Sequence, residues 1–81
     1  MAFSATRINR TVDGNTVREI WSWNAASVTG GSFSCGLGTV MHISPNNNVT
    51  EDIGKWTSSG ATVTVSGVTS NDTGTVEVVG R

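Results

Sequence analysis

Along most of this chain apolar and polar side chains alternate one by one, the period that sends every second residue of a β-strand to the same face. Phe3 to Val12 is a first run and Thr16 to Trp23 a second, separated only by Asp13-Gly14-Asn15. Asp-Gly between two alternating runs is the strongest short hairpin signal, so strands one and two are predicted to pair antiparallel. In the second strand Val17, Glu19, Trp21 and Trp23 share one face, with Arg18, Ile20 and Ser22 on the other. Asn24 to Gly31 is small-residue loop or irregular edge with a Gly-Gly break.

A third run, Ser32 to Ser44, puts Leu37, Thr39, Met41 and Ile43 opposite Val40 and His42, with a bulge or bend expected at Gly36 and Gly38. Pro45 followed by Asn46-Asn47-Asn48 is expected to end it, because proline lacks a donor and asparagine tolerates turn geometry. Val49, Ile53 and Trp56 fall at helical spacing, but the piece is short and broken at Gly54, and it is read as a short strand over Ile53 to Thr57. Ser58-Ser59-Gly60 makes a turn, and Ala61 to Gly67 alternates most cleanly of all, with Val63 and Val65 inward. A turn at Thr69 to Gly74 then leads to Thr75–Val79, with Val76 and Val78 facing one way and Glu77 and Val79 the other, as a terminal hairpin. The expectation is an all-β fold, a small sandwich or open barrel of about six short, mostly antiparallel strands, in a single domain over residues 1–81.

Composition sharpens this. Val, Thr and Ser supply 11, 12 and 10 of the 81 residues and Gly another ten, a mixture of strand formers and turn formers in which helix formers are scarce. One Lys, four Arg and six acidic groups give a formal charge of −1, with no basic cluster to serve nucleic acid or an anionic membrane surface, so neither is expected as a partner. No apolar run reaches the length of a membrane span, and the first residues lack the charged-then-apolar order of a signal peptide, which predicts synthesis in the cytoplasm. The sequons Asn48-Val49-Thr50 and Asn71-Asp72-Thr73 are then read as chance in a Thr- and Asn-rich chain. A domain this small gains little net stability from its core, and its lone Cys35 cannot form an internal disulfide. Association with copies of itself or with a partner is the remaining common remedy.

Candidate chemistry is thin. Cys35 and His42, the only thiol and imidazole, lie seven positions apart on one predicted strand, about 23 Å at ~3.3 Å per residue, beyond proton-transfer contact. One Cys and one His leave two ligands missing for zinc, the glycines around Cys35 have neither the dinucleotide nor the P-loop spacing, and Glu51 and Asp52 face opposite ways on a strand. No enzyme, metal or cofactor is therefore expected. Trp21 and Trp23 stand together and have two readings: core or subunit interface, or a stacking platform of the kind used by carbohydrate-binding β-modules.

The start Met1-Ala2-Phe3-Ser4-Ala5-Thr6-Arg7-Ile8, the turn Asp13-Gly14-Asn15, and the close from Ser66-Gly67-Val68-Thr69 through Asn71-Asp72-Thr73-Gly74 to Val79-Gly80-Arg81 resemble the small all-β head proteins of tailed bacteriophages, especially marine ones. That resemblance implies a virion structural protein on the outer surface of an icosahedral capsid. It would decorate or cement neighbouring capsomers, with the major capsid protein and copies of itself, as a homotrimer, for partners. It supplies no residue-level binding motif; pattern alone nominates Trp21, Trp23 and the N-terminal strand around Phe3 and Arg7 as interface. Another virion part, such as a tail, head-completion or fibre domain, is the neighbouring alternative.

Overall fold

The chain first reverses at Gly14, whose φ of +61° is open to glycine at no steric cost, with Asn15 at negative φ. Asp13 pairs with Thr16 across this two-residue loop, and a positive φ at its first position alone matches the hairpin turn whose twist suits the flanking strands. This is a computed structural model that describes residues 3–81; Met1 and Ala2, which open the N-terminal motif, lie outside the described residues.

Seven strands follow one another: β1 (Phe3–Asp13), β2 (Thr16–Ala25), β3 (Gly30–Ser34), β4 (Val40–Asn47), β5 (Lys55–Ser59), β6 (Thr62–Ser66) and β7 (Thr73–Gly80). They form two antiparallel sheets, a four-stranded one in the order β1-β2-β7-β4 and a three-stranded one in the order β3-β6-β5. The protein is thus an all-β sandwich, with no helix among the described residues. The inward faces are those that alternation selects: Trp23 and Ala25 on β2, Val63 and Val65 on β6, Val76 and Val78 on β7 are all buried. Phe3, Ala5, Val17, Trp21, Phe33, Val40, Ile43 and Trp56 pack around them.

Three expectations need correction. The run Ser32–Ser44 is two strands in different sheets: residues 35–39 cross from one layer to the other, and Cys35 and Leu37 are buried in the crossing as part of the core. A bulge near Met41 then resets the phase of β4, so Val40 and Ile43 turn toward the core while Met41 and His42 face solvent. Pro45 does not end its strand; β4 runs on to Asn47, which is tolerated because β4 is an edge and one of its flanks needs no donor. Finally, β6 and β7 make no terminal hairpin. Residues 67–72 carry the chain between sheets, anchored by buried Val68, and β7 inserts between β2 and β4 as a central strand.

The two layers differ in length. At ~3.4 Å per residue the 11 residues of β1 reach about 37 Å, the long dimension of the molecule, whereas the strands of the smaller sheet have five residues each. The β1–β2 hairpin consequently overhangs the second layer, and every β1 residue after Thr6 is exposed.

Candidate functional site

The four nominated residues lie on the inward face of the β1–β2 ribbon, and the structure brings them into one group. Phe3 stacks between Trp23 and Phe33, with ring centroids 6.3 Å apart in both pairs, and Trp21 tilts onto Phe33 at 4.9 Å. Trp56 meets Trp23 edge-on at 5.8 Å from the opposite layer. Trp23 is 1% exposed, and its indole N–H donates to the carbonyls of Asn46 and Thr75, both at 3.2 Å. It ties β2 to β7 and β4 from inside and offers no face to a ligand. A sugar platform built on Trp21 and Trp23 needs both indoles open, and the burial of Trp23 removes that arrangement; Trp21 and Phe3 remain half-buried.

Next to this aromatic layer sits a group that residue types alone did not single out. Glu19 is completely buried, yet it is charged. Its Oε1 accepts from the Trp21 indole N–H at 3.0 Å and from the Gly36 backbone N–H at 3.0 Å, and its Oε2 accepts from Arg7 Nη1 at 3.2 Å. Arg10 Nε stands 3.8 Å from the same Oε2, an ion pair beyond hydrogen-bond distance. Burial works against the ionised form, but the hydrogen bonds from Gly36, Trp21 and Arg7, together with the Arg7 charge, outweigh it and hold the Glu19 carboxyl below its ordinary value. A Cβ at Gly36 would press on Glu19 Oε2, so any larger residue there would push the carboxylate out of its present bonds.

Two guanidiniums reach one carboxylate because of a bulge. Arg7 pairs with Trp21 and Asn9 with Ile20, which leaves Ile8 as an extra residue in β1. In an unbroken strand Arg7 and Arg10 would point to opposite faces; the extra residue puts both on the Glu19 side. Each remains a little under half exposed, at 45% and 44% of its side chain, so the pair forms a basic rim where the β1 edge overhangs the smaller sheet.

A second polar cluster closes the far end of the sandwich. The Asp72 carboxylate, 3% exposed, accepts from Asn47 Nδ2 at 2.9 Å and from Thr50 Oγ1 at 2.8 Å. Asp52 accepts from Thr69 Oγ1 at 3.1 Å and the Gly54 N–H at 3.2 Å. These bonds pin the 48–54 loop through Thr50 and Asp52, although every side chain from 48 to 54 remains exposed. Cys35 is buried in the core and His42 is exposed on β4. No protein-family model matches the chain, no curated protein matches its sequence, and no solved structure matches its fold.

Proposed function

We propose that this protein is a virion structural component that decorates or cements the outer surface of an icosahedral phage capsid, bridging neighbouring capsomers as a self-associating unit. The observation that carries the reading is the uneven sandwich: a long sheet overhangs a short one, and Ile8, Val12, Val49 and Ile53 are left exposed at its extremities. Apolar groups at both extremities give a neighbouring chain something to bury. Between them lie Thr-, Ser- and Asn-rich faces that hydrogen-bond to a neighbour at little desolvation cost. A bridging protein needs no single strong contact, because shell symmetry repeats a modest one many times.

The reading is tested by peptide mass spectrometry on density-purified particles of the phage that encodes the chain, reporting its copies per copy of the major capsid protein. A ratio near about one supports decoration. A ratio of a few per hundred assigns the chain to a tail, vertex or head-completion role, and absence from the particle overturns the proposal.

A further inference from the structure

Apart from Met41 on β4, the large exposed apolar side chains fall into two groups, one around an arginine and one around a glutamate. On the overhanging β1 edge the order is Ile8-x-Arg10-x-Val12; on the β4–β5 loop it is Val49-x-Glu51-x-Ile53. Read antiparallel, the two match position by position: Val12 against Val49, Arg10 against Glu51, Ile8 against Ile53. We propose that copies of this chain associate head to tail, the β1 edge of one copy receiving the 49–53 segment of the next. The inference deepens the self-associating part of the reading above by naming the surfaces that meet.

Electrostatics favours the match. Arg7 and Arg10 share the single carboxylate of Glu19 and Arg7 alone hydrogen-bonds to it, which leaves the half-exposed Arg10 guanidinium the less engaged of the two and open to a further carboxylate. Glu51 enters no ion pair among the described residues, while its neighbour Asp52 is occupied by Thr69 and Gly54. The loop is also held ready. Thr50 and Asp52 are hydrogen-bonded to Asp72 and Thr69, which restrains the loop and lowers the entropy lost on docking.

The other sheet edges are less suited to receive a chain. β4 carries Pro45 and a bulge, and β3 and β5 have five residues each, β5 opening on Lys55. β1 has a bulge of its own at Ile8, but beyond it, from Asn9 to Asp13, it offers an uninterrupted edge without proline or lysine.

The two surfaces cannot meet within one molecule. β1 and β4 are opposite edges of the sheet with two strands between them, about 14 Å apart at ~4.8 Å per spacing. Asn47, where the loop begins, is level with Gly74, Trp23 and Ala5, whereas Val12 is level with Val17 and Gly80 near the other end. A contact between diagonal corners of identical subunits is heterologous, and such contacts close into cyclic rings or propagate as filaments. A ring of three is one closed solution.

The test is sedimentation equilibrium of the full chain with Glu51→Arg, Val12→Ser, and Glu51→Arg combined with Arg10→Glu, each checked for native melting. The wild type is expected to be a closed oligomer. Glu51→Arg sets like charges face to face and should weaken association by about tenfold or more. Val12→Ser should weaken it too, and the charge-exchanged double variant should recover most of the loss. Because Arg10→Glu brings a second carboxylate to Glu19, the exposed-site variants Glu51→Arg and Val12→Ser decide the matter if the double variant does not fold. A wild type that stays monomeric, or oligomers of unchanged mass and affinity in both single variants, would overturn the proposal. Pelleting of the same variants with capsids separates the two claims: binding that survives loss of self-association leaves decoration standing without this contact.

Discussion

Replacing Glu19 by Gln isolates the buried charge, because shape and volume are nearly conserved. The carboxylate now accepts three hydrogen bonds, two on Oε1 and one on Oε2. An amide placed with its oxygen toward Trp21 and Gly36 keeps those two as weaker neutral bonds and turns an NH2 donor toward the Arg7 guanidinium, which is also only a donor. The charge-assisted Arg7 bond is lost, at about 1.5–3 kcal/mol, and the lower desolvation cost of an amide offsets part of the weakening at the other two. A net loss of about 2 kcal/mol corresponds to a fall in Tm of roughly 8–16 °C for a domain of this size. The pH dependence is the sharper signature. The folded chain holds the Glu19 carboxyl below its ordinary 4.5, so its stabilisation is complete above that value and is lost as pH falls through the lower folded one. Glu19→Gln cannot titrate, and its melting temperature should fall less steeply between neutral and acid pH than that of the wild type. Circular dichroism melts from pH 7 down to pH 3 read both effects. A variant that melts within about 2 °C of wild type at pH 7, far short of that fall, and keeps the same acid limb, would refute the reasoning.

Three further outcomes follow from the packing. Trp23→Ala removes a side chain that touches both layers and donates to two strands, at a cost of about 3–5 kcal/mol read from urea unfolding midpoints; a loss under 1 kcal/mol contradicts its place in the core. The Cys35 thiol, buried in the crossing between sheets, should resist a disulfide-exchange reagent in the native protein and react once denaturant is added, and equal rates in both conditions would show that the crossing is open. Asp72→Ala strips Asn47 and Thr50 of their shared acceptor, costs about 1–3 kcal/mol, and should make the 48–54 loop the first site of limited proteolysis; an unchanged cleavage pattern counts against the pinning role.

What the sequence made legible was faces, and what it left open was neighbours. Val63, Val65, Val76 and Val78 read as inward from alternation, and the Asp13-Gly14 turn gave the β1–β2 pairing, because both signals are local. Nothing in alternation says which strand lies beside which, so β7 could be taken as the partner of the strand before it. The sole contrary sign was a connection with apolar Val68 inside it, longer than a tight turn and suited to crossing between layers. The same ambiguity hid the break in the Ser32–Ser44 run. Gly36 and Gly38 announced a bend, but a bend within one sheet and a passage to the other have the same residue signature.

The site was harder still, and the reason is a single residue. Phe3, Arg7, Trp21 and Trp23 could be placed together by counting in twos. Counting in twos also sends Arg10 to the far face, away from Glu19. The bulge at Ile8 reverses that, and its position is occupied by a β-branched side chain rather than the glycine that would have flagged it. Alternation puts Glu19 on the Trp face, but an acid there becomes intelligible only because two guanidiniums and the Gly36 N–H converge on it from β1 and the crossing loop. The same slip that brings Arg10 over Glu19 also turns Val12 to the inner side of the overhang, beside Val17, past the end of the smaller sheet. A rim with that order of charge and apolar groups is therefore a product of register. Removing Ile8 would keep that order of faces: with the extra residue gone β1 pairs regularly with β2, and Arg7 and Arg10, then two positions apart, both stay over Glu19, with Val12 still beside Val17.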